Sequence, residues 1–253
     1  MKIYLVSFLI GLFLIGCGGE STGSSDSATS GISGSMARFS IVGDNLYSVT
    51  GEVMNVFDIS DASNPQRVSR TLLDFDVETI FSYKSYLYLG AASGVYIYDI
   101  NITTQPTKIA DFTHAQSCDP VVVVDDIAYV TLNTSSSCFR TTTGQSRLEI
   151  VNVKDPKNPT LIRAIDMWAP TGLALSDNKL FICDGSDGLK VFDVNKSEEN
   201  TTVDVRISSL ETKQNINCYD LIANDNTLYV SNRNEINQFD YAVNPMSNYG
   251  TIK

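Results

Sequence analysis

Few residues in this 253-residue chain have the type and spacing to do chemistry. Glu78, Asp119 and Asp220 fall at comparable places in successive segments of the sequence. Carboxylates gathered at one mouth can bind Ca²⁺ or divide the acid and base roles of glycan hydrolysis. An acidic protein also carries solvated carboxylates with no such role. Cys118, Cys138, Cys183 and Cys218 are even in number and admit three pairings, while their spacing fits neither a zinc site nor a thioredoxin-like motif. His114 is the single histidine, so a His-rich metal site is excluded, and no Gly-x-Ser-x-Gly elbow accompanies it. Asp184-Gly185-Ser186-Asp187-Gly188 lacks the alternating acids and distal Glu of a calcium-binding EF-hand and reads as a hairpin turn. No residue is assigned a catalytic role and no resident metal is expected.

What must position these groups is a repeat. An aliphatic-aromatic mark recurs at Leu46-Tyr47, Leu87-Tyr88, Ala128-Tyr129, Leu180-Phe181 and Leu228-Tyr229. An apolar run then closes on Asp58, Asp99, Asn152, Asp193 and Asp240. A proline follows seven residues later at Pro65, Pro106 and Pro159; Asn200 takes its place in the fourth copy, and Pro245 comes early in the fifth. The step is 41 residues from Asp58 to Asp99 and again 41 from Asn152 to Asp193. A fixed period of this length marks a repeat architecture. The 53-residue step between Asp99 and Asn152 carries an insertion, Asn133 to Arg147.

Each copy reads as four short strands with turn residues between them, and no long amphipathic helical pattern is present. In the first copy these are Ala37–Val42, Leu46–Thr50, Val53–Ile59 and Gln66–Leu72. In the fourth they are Gly172–Ser176, Lys179–Cys183, Leu189–Val194 and Val203–Ile207. Third strands such as Val56-Phe57 and Ile150-Val151 are apolar on both faces, as a sheet covered on both sides requires. The expectation is an all-β fold, a β-propeller of five four-stranded blades, its ring closing by packing of the last blade on the first. A solenoid, or an incomplete propeller that pairs with another chain, is the alternative.

With first strands lining the channel, all four cysteines fall on one rim together with Glu78, Asp119 and Asp220. That topology favours Cys118–Cys138, tying down the insertion, and Cys183–Cys218, linking the last two copies; buried free thiols are the alternative. The closing acids are expected to be architectural, since an Asp at a strand end bonds the backbone of its own turn. Within the insertion, Phe139 and Arg140 are the candidate contact residues, because binding usually resides in loops on a rigid scaffold.

The N-terminus has its own logic. Residues 1–16 hold one positive charge and an apolar run too short to span a bilayer, the layout of a signal peptide. The run ends Leu14-Ile15-Gly16-Cys17, which resembles the lipobox of bacterial lipoproteins, and the resemblance implies a lipid such as palmitate on Cys17. Residues 17–36, rich in Gly and Ser, are expected to form a flexible leash reaching roughly 25 Å. Gly18 after the cysteine resembles lipoproteins sent to an outer membrane, facing the periplasm or the surface. The net charge of −11 argues against nucleic acid as a partner.

Within residues 37–253, Gly94-Val95-Tyr96-Ile97-Tyr98-Asp99-Ile100, Leu148-Glu149-Ile150-Val151-Asn152-Val153 and Asp155-Pro156-Lys157-Asn158-Pro159 resemble the LVIVD repeat of bacterial and archaeal surface propellers. The fifth copy departs from it, with Gln238 where an aliphatic is expected. The resemblance implies a propeller in an extracytoplasmic setting and leaves activity open. The functional expectation is an envelope interaction module for a protein or surface ligand; a glycan-acting hydrolase using Glu78, Asp119 and Asp220 is the alternative.

Overall fold

Turn chemistry sets the strand pattern. In the computed structural model, which describes residues 35–113, 120–134, 145–199, 202–232 and 234–253, the pairs Asp125-Asp126, Asp177-Asn178 and Asp225-Asn226 all have positive φ between 47° and 63°. Asp and Asn tolerate this left-handed conformation, and two such residues in series make the tight hairpin turn that matches strand twist. The described chain is accordingly all-β, and its one helical element is a 3-10 turn, Gly185–Asp187.

Six strands form one antiparallel sheet in chain order: β1 (Phe39–Val42), β2 (Asn45–Asp58), β3 (Gln66–Tyr83), β4 (Tyr86–Ala91), β5 (Gly94–Asp99) and β6 (Thr107–Thr113). A four-stranded sheet follows, with β7 (Val121–Val124), β8 (Ile127–Leu132), β9 (Arg147–Asn152) and β10 (Thr160–Asp166). The next comprises β11 (Pro170–Ser176), β12 (Lys179–Asp184), β13 (Leu189–Glu199) and β14 (Thr202–Lys213). The last comprises β15 (Asp220–Asn224), β16 (Thr227–Ser231), β17 (Ile236–Asp240) and β18 (Ser247–Ile252). The sheets are antiparallel meanders, and the fold is propeller-like.

Two long strands are each divided. The Ile59 N–H donates to the Asp44 carbonyl at 2.8 Å, which folds β2 back on itself at Gly51, φ 56°. The same bond recurs as Ile100 to Ser85, Val153 to Asp126, Val194 to Asn178 and Tyr241 to Asn226. In β3, residues 66–72 pair with the second arm of β2, whereas 77–83 pair with β4.

The closing acids hold their own turns. Asp58, Asp99, Asn152 and Asp240 each accept the backbone N–H two residues on, at 2.7–2.9 Å. Asp193 differs, because β13 and β14 run past the expected ends at Val194 and Ile207. No proline interrupts this hairpin, and Val203, Val205 and Ile207 favour extension. The longer hairpin lies against the preceding sheet: Lys154 pairs with Glu198 at 2.5 Å, Arg163 with Asp204 at 3.2 Å, and Lys196 donates to the Asp125 carbonyl at 2.6 Å.

The core lies between successive sequence copies. One cluster joins Tyr47, Met54 and Val56 to Ile80 and Leu89; a second joins Tyr88 and Ile97 to Val121 and Val130. A third joins Tyr129 and Ile150 to Leu173 and Leu180, and a fourth joins Phe181 and Val191 to Leu221 and Phe239. Burying each such side chain contributes about 1.5–3 kcal/mol. Among the described residues no hydrophobic cluster joins the last copy to the first, so the expected packing of those two against each other is not seen.

Candidate functional site

The first strands of successive copies lie side by side, β1 against β3, β3 against β7, β7 against β11 and β11 against β15. Gly172 allows β11 and β15 to approach closely. A Cβ there would stand 2.6 Å from the Asp220 Cα and 2.8 Å from the Tyr219 carbonyl oxygen, which the Gly172 N–H reaches at 2.9 Å. The starts of the first strands and the turn at Gly185–Asp187 form one rim.

Residues just before β1 cross this rim. The Ser35 hydroxyl accepts the Leu173 N–H at 2.8 Å and donates to Asp220 Oδ1 at 3.3 Å. The Ala37 carbonyl accepts the Ile80 N–H and the Arg38 carbonyl the Val49 N–H, both at 2.9 Å. Ser35 is buried, although its composition places it with the leash. Asp220 also accepts the backbone N–H groups of Leu221 and Met36. Burial raises its carboxyl above the usual range, against the opposing pull of these donors. The Asp220 carboxylate therefore holds the protein's own chain. Glu78 is half-buried on β3.

Cys183, at the end of β12, and Cys218, just before β15, form a disulfide with Cα atoms 5.2 Å apart. Both are buried, and the bond joins the last two copies across 35 residues. The turn beside it carries a buried charge, although the sequence presents Asp184 only as part of a hairpin turn. Asp184 is fully buried; its carboxylate accepts the Trp168 N–H at 3.0 Å and the Ala169 N–H at 2.8 Å and pairs with Lys190. Lys190 also reaches Asp187 at 3.1 Å. Burial works against the Lys190 ammonium, yet its bonds to Asp184 and Asp187 hold its pKa above the ordinary lysine value. The only signal in the sequence was an Asp between a buried strand and a Gly turn.

This network fixes the entry into β11 while leaving the Trp168 side chain 65% exposed. Tyr219, before β15, is also exposed on this rim. On β9 a second buried carboxylate, Glu149, takes Arg147 Nη2 at 2.6 Å through one oxygen, while its other oxygen has no partner among the described residues. Among the described residues no group of three or more His, Cys, Asp or Glu side chains is placed to hold a metal ion. Cys17, His114, Cys118, Asp119, Cys138, Phe139 and Arg140 lie outside the described residues, and with them the Cys118–Cys138 pairing.

No protein-family model matches the sequence, and no curated protein does. Among solved structures, the Pseudomonas aeruginosa periplasmic gluconolactonase PpgL matches at 13% identity and a TM-score of 0.59, covering 83% of this chain and 67% of that one. A hypothetical selenium-binding protein from Sulfolobus tokodaii matches at 11% identity and a TM-score of 0.54, covering 85% of this chain and 59% of that one. AztD from Citrobacter koseri matches at 10% identity and a TM-score of 0.46. The chain thus spans about two thirds or less of the first two structures' lengths. At these identities the likeness is one of fold, all-β and propeller-like.

Proposed function

We propose that the chain is a membrane-tethered interaction module of the bacterial cell envelope, an LVIVD-type propeller of five four-stranded blades. Support for the blade count comes from the turn-back of β2 at Gly51 and the division of β3, which resolve the six-stranded sheet into two meanders like the other three. The lipid on Cys17 would anchor the chain in the outer membrane, and residues 18–34 would let the propeller stand away from it. Binding rather than turnover is favoured by one observation above all. The Asp220 carboxylate, a candidate acid or base, is engaged by Ser35, Met36 and Leu221. A group so occupied is poorly available to a substrate, whereas Trp168 and Tyr219 stand exposed on the same rim, as aromatic contact residues do.

A photo-crosslinking amino acid placed at Trp168 or Tyr219 in living cells tests this reading. One reproducible envelope partner, trapped from these positions and not from Asp225 at the opposite end of the first strands, is the expected result. The hydrolase alternative would use Glu78, Asp119 and Asp220 as its acid and base groups. It requires glycan turnover that disappears in Asp220→Asn. Turnover of that kind with no trapped partner would overturn the module.

A further inference from the structure

Asn-x-Ser/Thr, the signal that marks an asparagine amide for attachment of a glycan in an exported chain, occurs at Asn101, Asn133, Asn195 and Asn200. The fold separates them. Asn133 is buried, 4% exposed, which puts its amide out of a transferase's reach. Asn195 is exposed but lies within β13, where its backbone stands opposite Arg206 in the ladder with β14. An acceptor must leave such a ladder before an enzyme can enclose it. Asn200 lies outside the described residues. Asn101 is exposed and belongs to no strand; it stands in the link between β5 and β6, followed by the exposed Ile102 and by Thr103.

This link departs from the repeat at the residues of the signal. In the first and third copies Asp61 and Asp155 hold the turn, accepting the Ser63 and Lys157 N–H groups at 3.0 and 3.1 Å. Counting from the closing residues Asp58, Asp99 and Asn152 puts Ile102 at that place in the second copy. The backbone turn survives the exchange: the Gln105 N–H donates to the Ile102 carbonyl at 2.8 Å, as Asn64 does to Asp61 and Asn158 to Asp155 at 3.0 Å. Neither the turn nor the core gains from it, because the Ile102 side chain stands 63% exposed. The Thr103 carbonyl accepts the Tyr47 hydroxyl at 2.9 Å, which fixes the link against the first copy, while the Thr103 hydroxyl itself makes no hydrogen bond among the described residues. Asp99 accepts the Asn101 backbone N–H at 2.7 Å and its side-chain amide at 3.1 Å. The amide is thus held beside a carboxylate that offers a transferase a charge to pair with.

We propose that Asn101 is a glycosylation site whose donor is a glycan carried on a polyprenyl pyrophosphate. Asn101 Nδ2 forms the new bond to the anomeric carbon of the glycan. The bond from that carbon to the pyrophosphate oxygen breaks, the amide gives up one proton to a base of the transferase, and the polyprenyl pyrophosphate leaves. Nothing is oxidised or reduced. The Ile100 N–H donates to the Ser85 carbonyl at 2.9 Å, in the turn between β3 and β4, so Asn101 lies at the end of the molecule opposite the rim of Trp168 and Tyr219. A bulky, hydrated glycan there leaves that rim open to a partner. The inference rests on the export that the proposed function includes and is independent of what the rim binds.

The test is expression of the full chain in bacterial cells that carry an oligosaccharyltransferase and a lipid-linked glycan of known mass. Mass spectrometry of the purified protein and of its Asn101 peptide is the readout. One version keeps its own residues 1–16, and a second has an ordinary secretory leader in their place. Both are expected to carry one glycan on Asn101 in these cells and none in cells without the transferase. Asn101→Gln and Thr103→Ala should lose it, and Thr103→Ser should keep it, all with unchanged circular dichroism. Asp99→Asn should lose it while keeping the turn, because Asn152 holds the equivalent turn by accepting the Lys154 N–H at 2.9 Å. A glycan seen only with the secretory leader would support the site and overturn the envelope reading. An unmodified Asn101 peptide from both versions would overturn the site. So would a glycan on Asn133 or Asn195 in place of Asn101, or one that survives Thr103→Ala.

Discussion

Ser35 and Asp220, 185 residues apart in sequence, meet through one hydrogen bond in which the serine hydroxyl donates at 3.3 Å. The same hydroxyl accepts the Leu173 N–H at 2.8 Å, so a single small side chain links the start of the folded chain to β11 and β15. Ser35→Ala deletes the acceptor of one buried N–H and a donor to one buried carboxylate. The expected cost is about 1–3 kcal/mol, the usual penalty for leaving a buried polar group unpaired. Urea unfolding checks it: the midpoint should fall with the slope unchanged. An unaltered midpoint would show that the crossing segment contributes nothing to stability.

Asp220 gives a prediction in pH. Its folded-state carboxyl is raised above the ordinary value, chiefly by burial, so the native protein holds this proton more tightly than the unfolded chain does. Stability from this group is fully present below the ordinary carboxylate pKa, about 4, and is lost as pH rises through the raised folded value. Asp220→Asn carries no such titration. From pH 4 to pH 7 the wild type should lose stability relative to Asp220→Asn, measured by urea unfolding of both proteins at each pH. A stability difference independent of pH would contradict the assignment.

The parts legible in sequence are those governed by local rules. Alternating apolar residues, the repeated aromatic and the Asp or Asn turns locate nearly every strand, because each depends on a few adjacent residues. Asp58, Asp99, Asn152 and Asp240 behave as turn-holding residues for the same reason. What escaped was set by distant partners. Ser35 looks like leash by composition and is buried only because β11 and β15 supply partners far along the chain. Asp184 reads as a turn residue until the Trp168 backbone and Lys190 are seen to converge on it. The exposure of Tyr229 has one local signal, Gln238, which stands across the ladder from it where the buried equivalents Tyr88, Tyr129 and Phe181 face Ile97, Ile150 and Val191.

The Cys183–Cys218 disulfide closes a loop with a sequence separation of 35. Loop-closure entropy for that length corresponds to about 3–4 kcal/mol. Replacing both cysteines with serine should lower the thermal midpoint under oxidising conditions. Under reducing conditions the difference from wild type should shrink to that of two buried Cys-to-Ser changes. If reduction leaves the difference unchanged, the stabilisation comes from packing of the sulfur atoms and not from the cross-link.

Asp184 and Lys190 provide a cleaner measurement, because Trp168 is the chain's single tryptophan and its backbone N–H is bonded to Asp184. Asp184→Ala strands the Lys190 ammonium and two backbone N–H groups, and breaking a buried pair from one side costs about 3–5 kcal/mol. Lys190→Met in the same protein removes the stranded charge, so the double variant should lose less than the sum of the two single variants, with a coupling of about 1–3 kcal/mol. Tryptophan fluorescence follows both unfolding and the local environment. In Asp184→Ala the native emission should change in wavelength or intensity as the β11 entry loosens, while far-ultraviolet circular dichroism stays that of a β protein. Additive losses would mean that Lys190 and Asp184 act independently, and that the Trp168 and Ala169 N–H bonds alone account for the role of the carboxylate.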